Sequence, residues 1–192
     1  METTPILVDL IQRGTLDVVF AVLPSAADGV RNQALPTMEM VFVGHPDLHQ
    51  KEIYRPADLA ELELLTFQKG SQPHVTLLDL FRKQKMEPKK VHAISSISAM
   101  VQLVQGGFGV ALLPRAAVTR LSGFARLRTL ACEARLQALP IHASYRTDPS
   151  SRSVETVVES AMAFARRCEA DSPKSGSKSV QKAPKRVAKG KP

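Results

Sequence analysis

Ser95 and Ser96 offer the clearest chemistry in this sequence, because they stand at the start of a predicted helix. A serine hydroxyl at a helix start accepts a hydrogen bond from one of the first amides, which have no partner inside the helix. The amides that remain free, together with the positive end of the helix dipole, favour a carboxylate or a similar small anion. The alternative is an ordinary helix cap without a ligand.

Metal-binding and catalytic patterns are weak in this sequence. His45 and His49 are four residues apart, but Pro46 between them predicts a surface loop, and no third ligand has suitable spacing. The GGFG segment 106–109 lacks the lysine and the spacing of a phosphate-binding loop, and no nucleophile-elbow or zinc-protease signature occurs. Three isolated histidines are interpreted as ordinary strand or loop residues: His74, His92 and His142. We therefore expect no metal, no cofactor and no enzymatic activity.

The positive charge of the chain is concentrated at its carboxyl end. The 192 residues carry a net charge of +8, of which segment 171–192 supplies +6 from seven Lys or Arg and one Asp. With little apolar surface to bury, this tail is predicted to be disordered. Its composition would allow it to bind nucleic acid without sequence preference, or it only aids solubility.

Cysteine usage and hydropathy predict a cytoplasmic protein with no membrane partner. Cys132 and Cys168 are far apart and lack CxxC spacing, as expected for reduced thiols. No apolar run approaches the length of about 20 residues that a membrane span needs, and residues 1–23 do not resemble a signal peptide.

The two serines belong to a helix-to-strand unit that spans residues 95–114. Apolar residues at helical spacing predict a helix, two glycines end it, and the apolar run 110–113 predicts a buried strand. Strands are also predicted at 16–23, 38–43, 62–67, 91–94, 124–130 and 139–145, and helices before Gly14, after Pro56, at 75–84 and from Ser151 or Ser153 to about 168. Segments 25–34 and 70–73 are predicted loops. This alternation predicts an α/β fold with mostly parallel sheets.

The order of these elements resembles the LysR-type transcriptional regulators over residues 1 to about 168. The resemblance rests on the runs LIQRGTLDVVFAV, MVFVGHPDLH, ADLAELELLTF, GSQPHVTLLDLF, VQLVQGGFGVALLP and LPIHASYRTDPSSRSVETVVESAMAFA, in that order. It implies the effector-binding module of that family, a periplasmic-binding-protein type 2 fold. In this fold two α/β subdomains are joined by two crossing strands, and the ligand lies in the cleft between them.

The resemblance also implies how the chain is divided. Subdomain I would comprise residues 1–64 and 137–168, subdomain II residues 65–136, and 169–192 would be the disordered basic tail. Members of the family carry a winged helix-turn-helix, a linker helix and the module's first strand and helix before this point. We therefore expect subdomain I to lack its first strand and helix, and specific DNA contact to need a domain outside this sequence.

The resemblance implies three groups of effector-binding residues. Ser95 and Ser96 match a helix start that faces the cleft, and Gly70, Ser71 and Gln72 match the loop after a crossing strand. Pro24 and Ser25 would line the opposite wall. Each group has an ordinary alternative, a helix cap or a polar turn. Thr66–Phe67 and segment 136–139 are the expected hinges.

The implied function is the sensing of a small, oxygen-rich or anionic effector to modulate transcription. Homo-oligomers would form through subdomain I, with the helix near Leu7–Ile11 and strand 16–23 at the interface. Two alternatives stay open: a solute-binding protein of the same fold, and a truncated gene product without function.

Overall fold

The computed structural model of the chain describes residues 3–147 and 152–170. Within them the polypeptide forms six helices and eight strands in two sheets. In chain order these are α1 Thr4–Gln12, β1 Val18–Ala21, β2 Val30–Met38, β3 Met40–Gly44, α2 Pro56–Ala60, β4 Glu63–Thr66, α3 Gln72–Lys83, β5 Lys90–Ala93, α4 Ile97–Gln105, β6 Val110–Pro114, α5 Arg115–Leu121, β7 Arg128–Thr129, β8 Leu139–Arg146 and α6 Arg152–Ala170.

The smaller sheet has β8 at its centre, with β1 and β2 antiparallel to it on either side. Helix α1 packs against β1, and α6 packs against β2. Ile11, Val19, Ala143 and Val158 are buried between these elements because one face of each element is apolar. We call this sheet with α1 and α6 the small lobe.

The larger sheet has the strand order β5-β4-β6-β3-β7. Its strands β5, β4 and β6 are parallel, whereas β3 runs antiparallel to β6 and β7. All five residues of β6 are buried, as expected for a short apolar strand covered on both faces. We call this sheet with α2–α5 the large lobe.

Parallel pairing brings the carboxyl ends of β4, β5 and β6 to one edge of the larger sheet. Thr66 ends β4 opposite Ala93 of β5, and the amide of Ile94 donates to the carbonyl of Thr66 at 2.8 Å. Helix α3 follows β4 and α4 follows β5. Both helices therefore start at this edge, the usual place of ligand sites in open α/β sheets.

Two crossing segments connect the lobes. The first passes from β2 to β3 at Glu39, and the second enters β8 through residues 136–138. Arg115, at the start of α5, holds the first crossing: its amide donates to the carbonyl of Glu39 at 2.8 Å, and its Nε lies 2.6 Å from Oε2 of the same residue.

Most of the predicted elements form, but some predictions were wrong. Segment 25–34 was predicted to be a loop, yet β2 begins at Val30; most of β2 is exposed, so it lacks the apolar pattern of a strand with a covered face. Helix α5 was not predicted, and the strand expected at 124–130 is reduced to the two residues of β7. The sheets are not mostly parallel, because the smaller sheet is wholly antiparallel.

The lobes do not divide the chain after residue 64. Strand β3 pairs with β6, and residues 40–43 lie in the same buried core as Leu64 and Leu65 of β4. All five residues of β3 are buried, and helices α4 and α5 of the large lobe pack against this strand. The segment 40–64, which we placed in subdomain I, therefore folds with the large lobe.

None of the described helices is both long and apolar enough to cross a bilayer. The basic tail 171–192, for which disorder and nucleic-acid binding are predicted, lies outside the described residues.

Candidate functional site

The amino terminus of α3 lacks a side-chain cap. Ser71 occupies the N-cap position with extended backbone, but its side chain makes no capping hydrogen bond. Gly70 precedes it with a φ of +79°, a conformation that glycine adopts without strain. Gln72 and Pro73, predicted to lie in a loop, instead form the first helical positions. The first amides of α3 therefore point outward without a side-chain cap.

Three side-chain polar atoms are buried here without a hydrogen-bond partner among the described residues: Oγ1 of Thr66, Oγ of Ser71 and Nδ1 of His74. Thr66 is completely buried at the end of β4, and His74 lies in the first turn of α3. Buried polar atoms are paired in the great majority of cases. Three such atoms occur within nine residues, at the end of β4 and the start of α3, and they make this segment the candidate site.

The charges around this helix start favour an acceptor of hydrogen bonds. Burial lowers the pKa of His74, and the positive charge of Lys69 lowers this pKa further. His74 is therefore neutral at pH 7, and Lys69 together with the dipole of α3 supplies positive potential. Two hydroxyls, an imidazole and free amides can donate to one group, as a carboxylate would require.

Ser95 and Ser96 lie at the neighbouring helix start, and both are exposed. The hydroxyl of Ser96 accepts a hydrogen bond from the amide of Ala99 at 3.3 Å, so it caps α4. The starts of α3 and α4 follow adjacent strands, but their caps differ. The N-cap hydroxyl of α4 is engaged in its own helix, and that of α3 is not.

Ser25 belongs to a closed polar network in the small lobe. Its amide donates to Oδ1 of Asn32 at 3.0 Å and to Oγ of Ser144 at 3.2 Å. Nδ2 of Asn32 donates to the Ser25 carbonyl at 2.8 Å, and the Ser144 hydroxyl donates to Oδ1 of Asn32 at 2.6 Å. Pro24 is exposed beside it. This network fixes the loop after β1, and its contacts lie within the small lobe.

Thr66 and His74 are candidate site residues that the sequence did not predict. Thr66 was predicted to lie at a hinge, and His74 was interpreted as an ordinary strand or loop residue. The sequence does contain a feature that points to Thr66. It is a hydroxyl residue at the end of an apolar strand, close to the expected start of the next helix. No sequence signal marks His74, because its burial depends on tertiary packing.

The loop after β3 holds the histidine pair considered as a metal site. His49 is buried, and its Nδ1 lies 3.3 Å from the carbonyl of His45. Nδ1 of His45 accepts from the amide of Asp47 at 3.2 Å. These contacts form a tight turn, and the described part of the chain contains no group of three His, Cys, Asp or Glu residues placed to hold a metal ion.

A separate cleft of about 700 Å³ lies beside the crossing segments, lined by residues that include Glu39, Arg115, Cys132 and Leu136. Burial raises the pKa of the Cys132 thiol to about 11, so the thiol is protonated at neutral pH. Its sulfur lies 3.6 Å from the carbonyl of Leu130. Cys132 therefore acts as a packing residue and not as a reactive thiolate.

Comparison with known proteins identifies a family over almost all of the described chain. The family model of the LysR substrate binding domain matches residues 1–166. A curated relative from Mycobacterium avium, named a probable hydrogen peroxide-inducible genes activator, is 31% identical over 123 residues. These residues are 61% of this chain but 39% of that relative, so the chain spans well under half of its length.

Solved structures show the same fold. An OxyR mutant from Corynebacterium glutamicum is 26% identical and aligns with a TM-score of 0.65, covering 88% of this chain and 53% of that one. The BenM effector binding domain, solved with its effector benzoate, is 17% identical with a TM-score of 0.63, covering 90% and 80% of the two chains.

Proposed function

The chain belongs to the LysR substrate-binding domain family, and on that premise we propose that it binds a small carboxylate effector at the start of α3. The observation that carries this proposal is the group of three buried, unpartnered polar atoms on Thr66, Ser71 and His74. A carboxylate has two oxygens that accept several hydrogen bonds at once. It would pair these groups and gain from the dipole of α3 and the charge of Lys69.

Similarity of fold supports a carboxylate. The BenM domain was solved with benzoate, whose one charged group is a carboxylate. In the present chain Ser95 and Ser96 lie at the neighbouring helix start. We propose that they contact the far side of the same ligand, with Gly70 and Gln72 at its entrance and Pro24 and Ser25 on the small lobe facing it.

We propose that effector binding acts on the angle between the lobes. The small lobe would comprise residues 3–38, 139–147 and 152–170 and the large lobe residues 40–135, with Glu39 and segment 136–138 as hinges. A ligand that contacts both lobes favours the closed arrangement. In a protein that also carries a DNA-binding domain, this change would modulate transcription.

A ligand screen tests this function on the 192-residue chain. Thermal unfolding is measured with a set of small carboxylates that includes benzoate and shikimate, each paired with its uncharged amide. We expect one or more carboxylates to raise the melting temperature and the matched amides to leave it unchanged, because only the acids carry the charge. Equal shifts from acids and amides, or no shift from any acid, would contradict the proposal.

A thiol response to peroxide does not form part of this proposal, although one curated relative is named for peroxide induction. With a pKa of about 11, Cys132 has far less thiolate at pH 7 than an ordinary cysteine. We expect iodoacetamide to label Cys132 about 100-fold more slowly in the folded chain than in urea. Peptide mass spectrometry measures both rates in one sample series, and equal rates would show that Cys132 is a reactive thiol.

We propose that two copies associate through α1 and β1 of the small lobe. Strand β1 lies at the edge of its sheet in the described structure, and Ile6, Phe20 and Leu23 expose 40% or more of their surface. Edge strands with apolar side chains readily pair with another chain.

Light scattering after gel filtration should show that the parent chain is a dimer. The substitution Phe20→Lys should dissociate this dimer. Phe124→Lys, at a residue 92% exposed in the large lobe, should leave it intact. A monomeric parent chain would refute the proposed interface.

A further inference from the structure

We propose that His74 takes up a proton when a carboxylate docks at the start of α3, so that effector binding is coupled to protonation. This inference rests on the proposed function, because it concerns the same ligand group. It adds a regulatory property: the affinity for the effector would depend on pH.

His74 lies in the first turn of α3, where the carboxylate is proposed to dock. His74 is the third residue of α3, and its Nδ1 is buried in the segment that also holds the unpartnered hydroxyls of Thr66 and Ser71. Pro73 has no amide to offer, so the first turn has one donor fewer than usual. The imidazole therefore supplies a hydrogen bond that the backbone of this turn cannot.

The charge balance keeps His74 neutral before binding. Burial disfavours the imidazolium, and the nearby Lys69 repels it, so the pKa of His74 is lowered in the free protein. A carboxylate at the helix start opposes both effects, because its negative charge beside the ring favours the imidazolium and offsets the repulsion from Lys69. The imidazolium then becomes the favoured form in the complex.

The charged groups around α3 do not supply this counter-charge themselves. Helix α3 packs against α2 and β4, and the acidic side chains of all three elements are held by other bases. These ion pairs are Asp58 with Lys51 and Arg55, Glu63 with Lys90 and His92, and Asp79 with Arg82. The incoming ligand is therefore the group that would stabilise the protonated ring.

The linkage between proton binding and ligand binding determines how the affinity changes with pH. At pH values between the pKa of His74 in the free protein and its higher pKa in the complex, binding of one ligand takes up one proton. Affinity should then fall as pH rises, by up to about tenfold per pH unit. Below this range His74 is already protonated in both states, and the dependence disappears.

The test uses acetate as the simplest carboxylate. The titration of the His74 ring proton is followed by NMR in the 192-residue chain, in equal concentrations of sodium acetate and sodium chloride. His74→Gln identifies the resonance. We expect acetate to raise the midpoint of His74 by about one pH unit relative to chloride, and to leave the midpoint of His142 unchanged as an internal control.

Unchanged midpoints in the two salts would overturn the proposal, as would a shift of equal size at His142.

A second measurement compares the pH dependence of acetate binding in the parent chain and in His74→Gln. We expect the affinity of the variant for acetate to be the same at every pH in this range, because glutamine can donate a hydrogen bond but does not titrate. A dependence that persists in the variant would assign the proton to another group.

The outcomes separate this inference from the proposed function. If effector candidates from the screen bind but the midpoint of His74 does not move, the effector function stands and the proton coupling fails. If acetate moves the midpoint but no candidate stabilises the chain, the anion site stands and the effector function fails.

Discussion

Replacing Thr66 by valine should stabilise the ligand-free chain and weaken carboxylate binding at the same time. Thr66 is completely buried, and its hydroxyl has no partner among the described residues, so the folded state bears the cost of its desolvation. Valine has almost the same shape without the hydroxyl. We expect Thr66→Val to raise the free energy of unfolding by about 1–2 kcal/mol and to lower affinity about tenfold, because a hydrogen bond to a charged group is lost. Urea unfolding and calorimetry with the tightest carboxylate from the screen measure both effects.

Ser144→Ala is the matched control, since it also removes a buried hydroxyl. The Ser144 hydroxyl donates to Asn32 and accepts from the amide of Ser25, so its loss breaks two hydrogen bonds. We expect a decrease of about 1–2 kcal/mol in the free energy of unfolding, opposite in sign to the change expected for Thr66→Val. If Thr66→Val destabilises the chain as Ser144→Ala does, the Thr66 hydroxyl is structural and not a ligand group.

The opposite signs expected for these two hydroxyls show what separates a binding site from the rest of the interior. Binding sites hold polar groups in place before the ligand arrives, and this preorganisation costs stability in the free protein. Ser144 is as deeply buried as Thr66, yet its partners are Asn32 and Ser25. Burial alone therefore does not identify a site residue; the proposed site rests on buried groups that are left without a partner.

The regular parts of the fold could be predicted because their residues carry local signals. In the unit 95–114, helical spacing, two glycines and an apolar run each define one element, and Ser96 caps α4 in the structure. Strand β2 lacked such a signal. Its residues are mostly exposed, and it is held by backbone pairing to β8, more than 100 residues away in the chain.

The site could be predicted only in part, for a related reason. The segment Gly70–Gln72 and the two serines at 95 and 96 come to one sheet edge, as parallel strands require. Whether a hydroxyl is hydrogen-bonded or left without a partner depends on neighbouring residues in the fold, which the sequence does not reveal. Ser71 and Ser96 are both N-cap serines, yet only the hydroxyl of Ser96 bonds its own helix.

The pairing of β4 with β6 holds Thr66 at the proposed site, and it requires that Gly109 have no side chain. A Cβ added at Gly109 would overlap the carbonyl oxygen of Glu63 and lie 2.9 Å from the Cβ of that residue. The carbonyl belongs to the first residue of β4, so the clash can be relieved only by moving a central strand. We expect Gly109→Ala to lower the free energy of unfolding by about 3 kcal/mol, and the melting temperature by about 10 °C.

Gly106→Ala is the control from the same GGFG segment. A Cβ at Gly106 meets its nearest neighbour, the carbonyl of Gln102, at an ordinary contact distance of 3.5 Å, and its φ of −76° suits alanine. We expect a change within about 0.5 kcal/mol, as for surface substitutions. Thermal and urea unfolding of the two variants compare them directly. If Gly109→Ala were as stable as Gly106→Ala, β4 and β6 would not approach as closely as described, and Thr66 would not be held at the sheet edge where the ligand is proposed to bind.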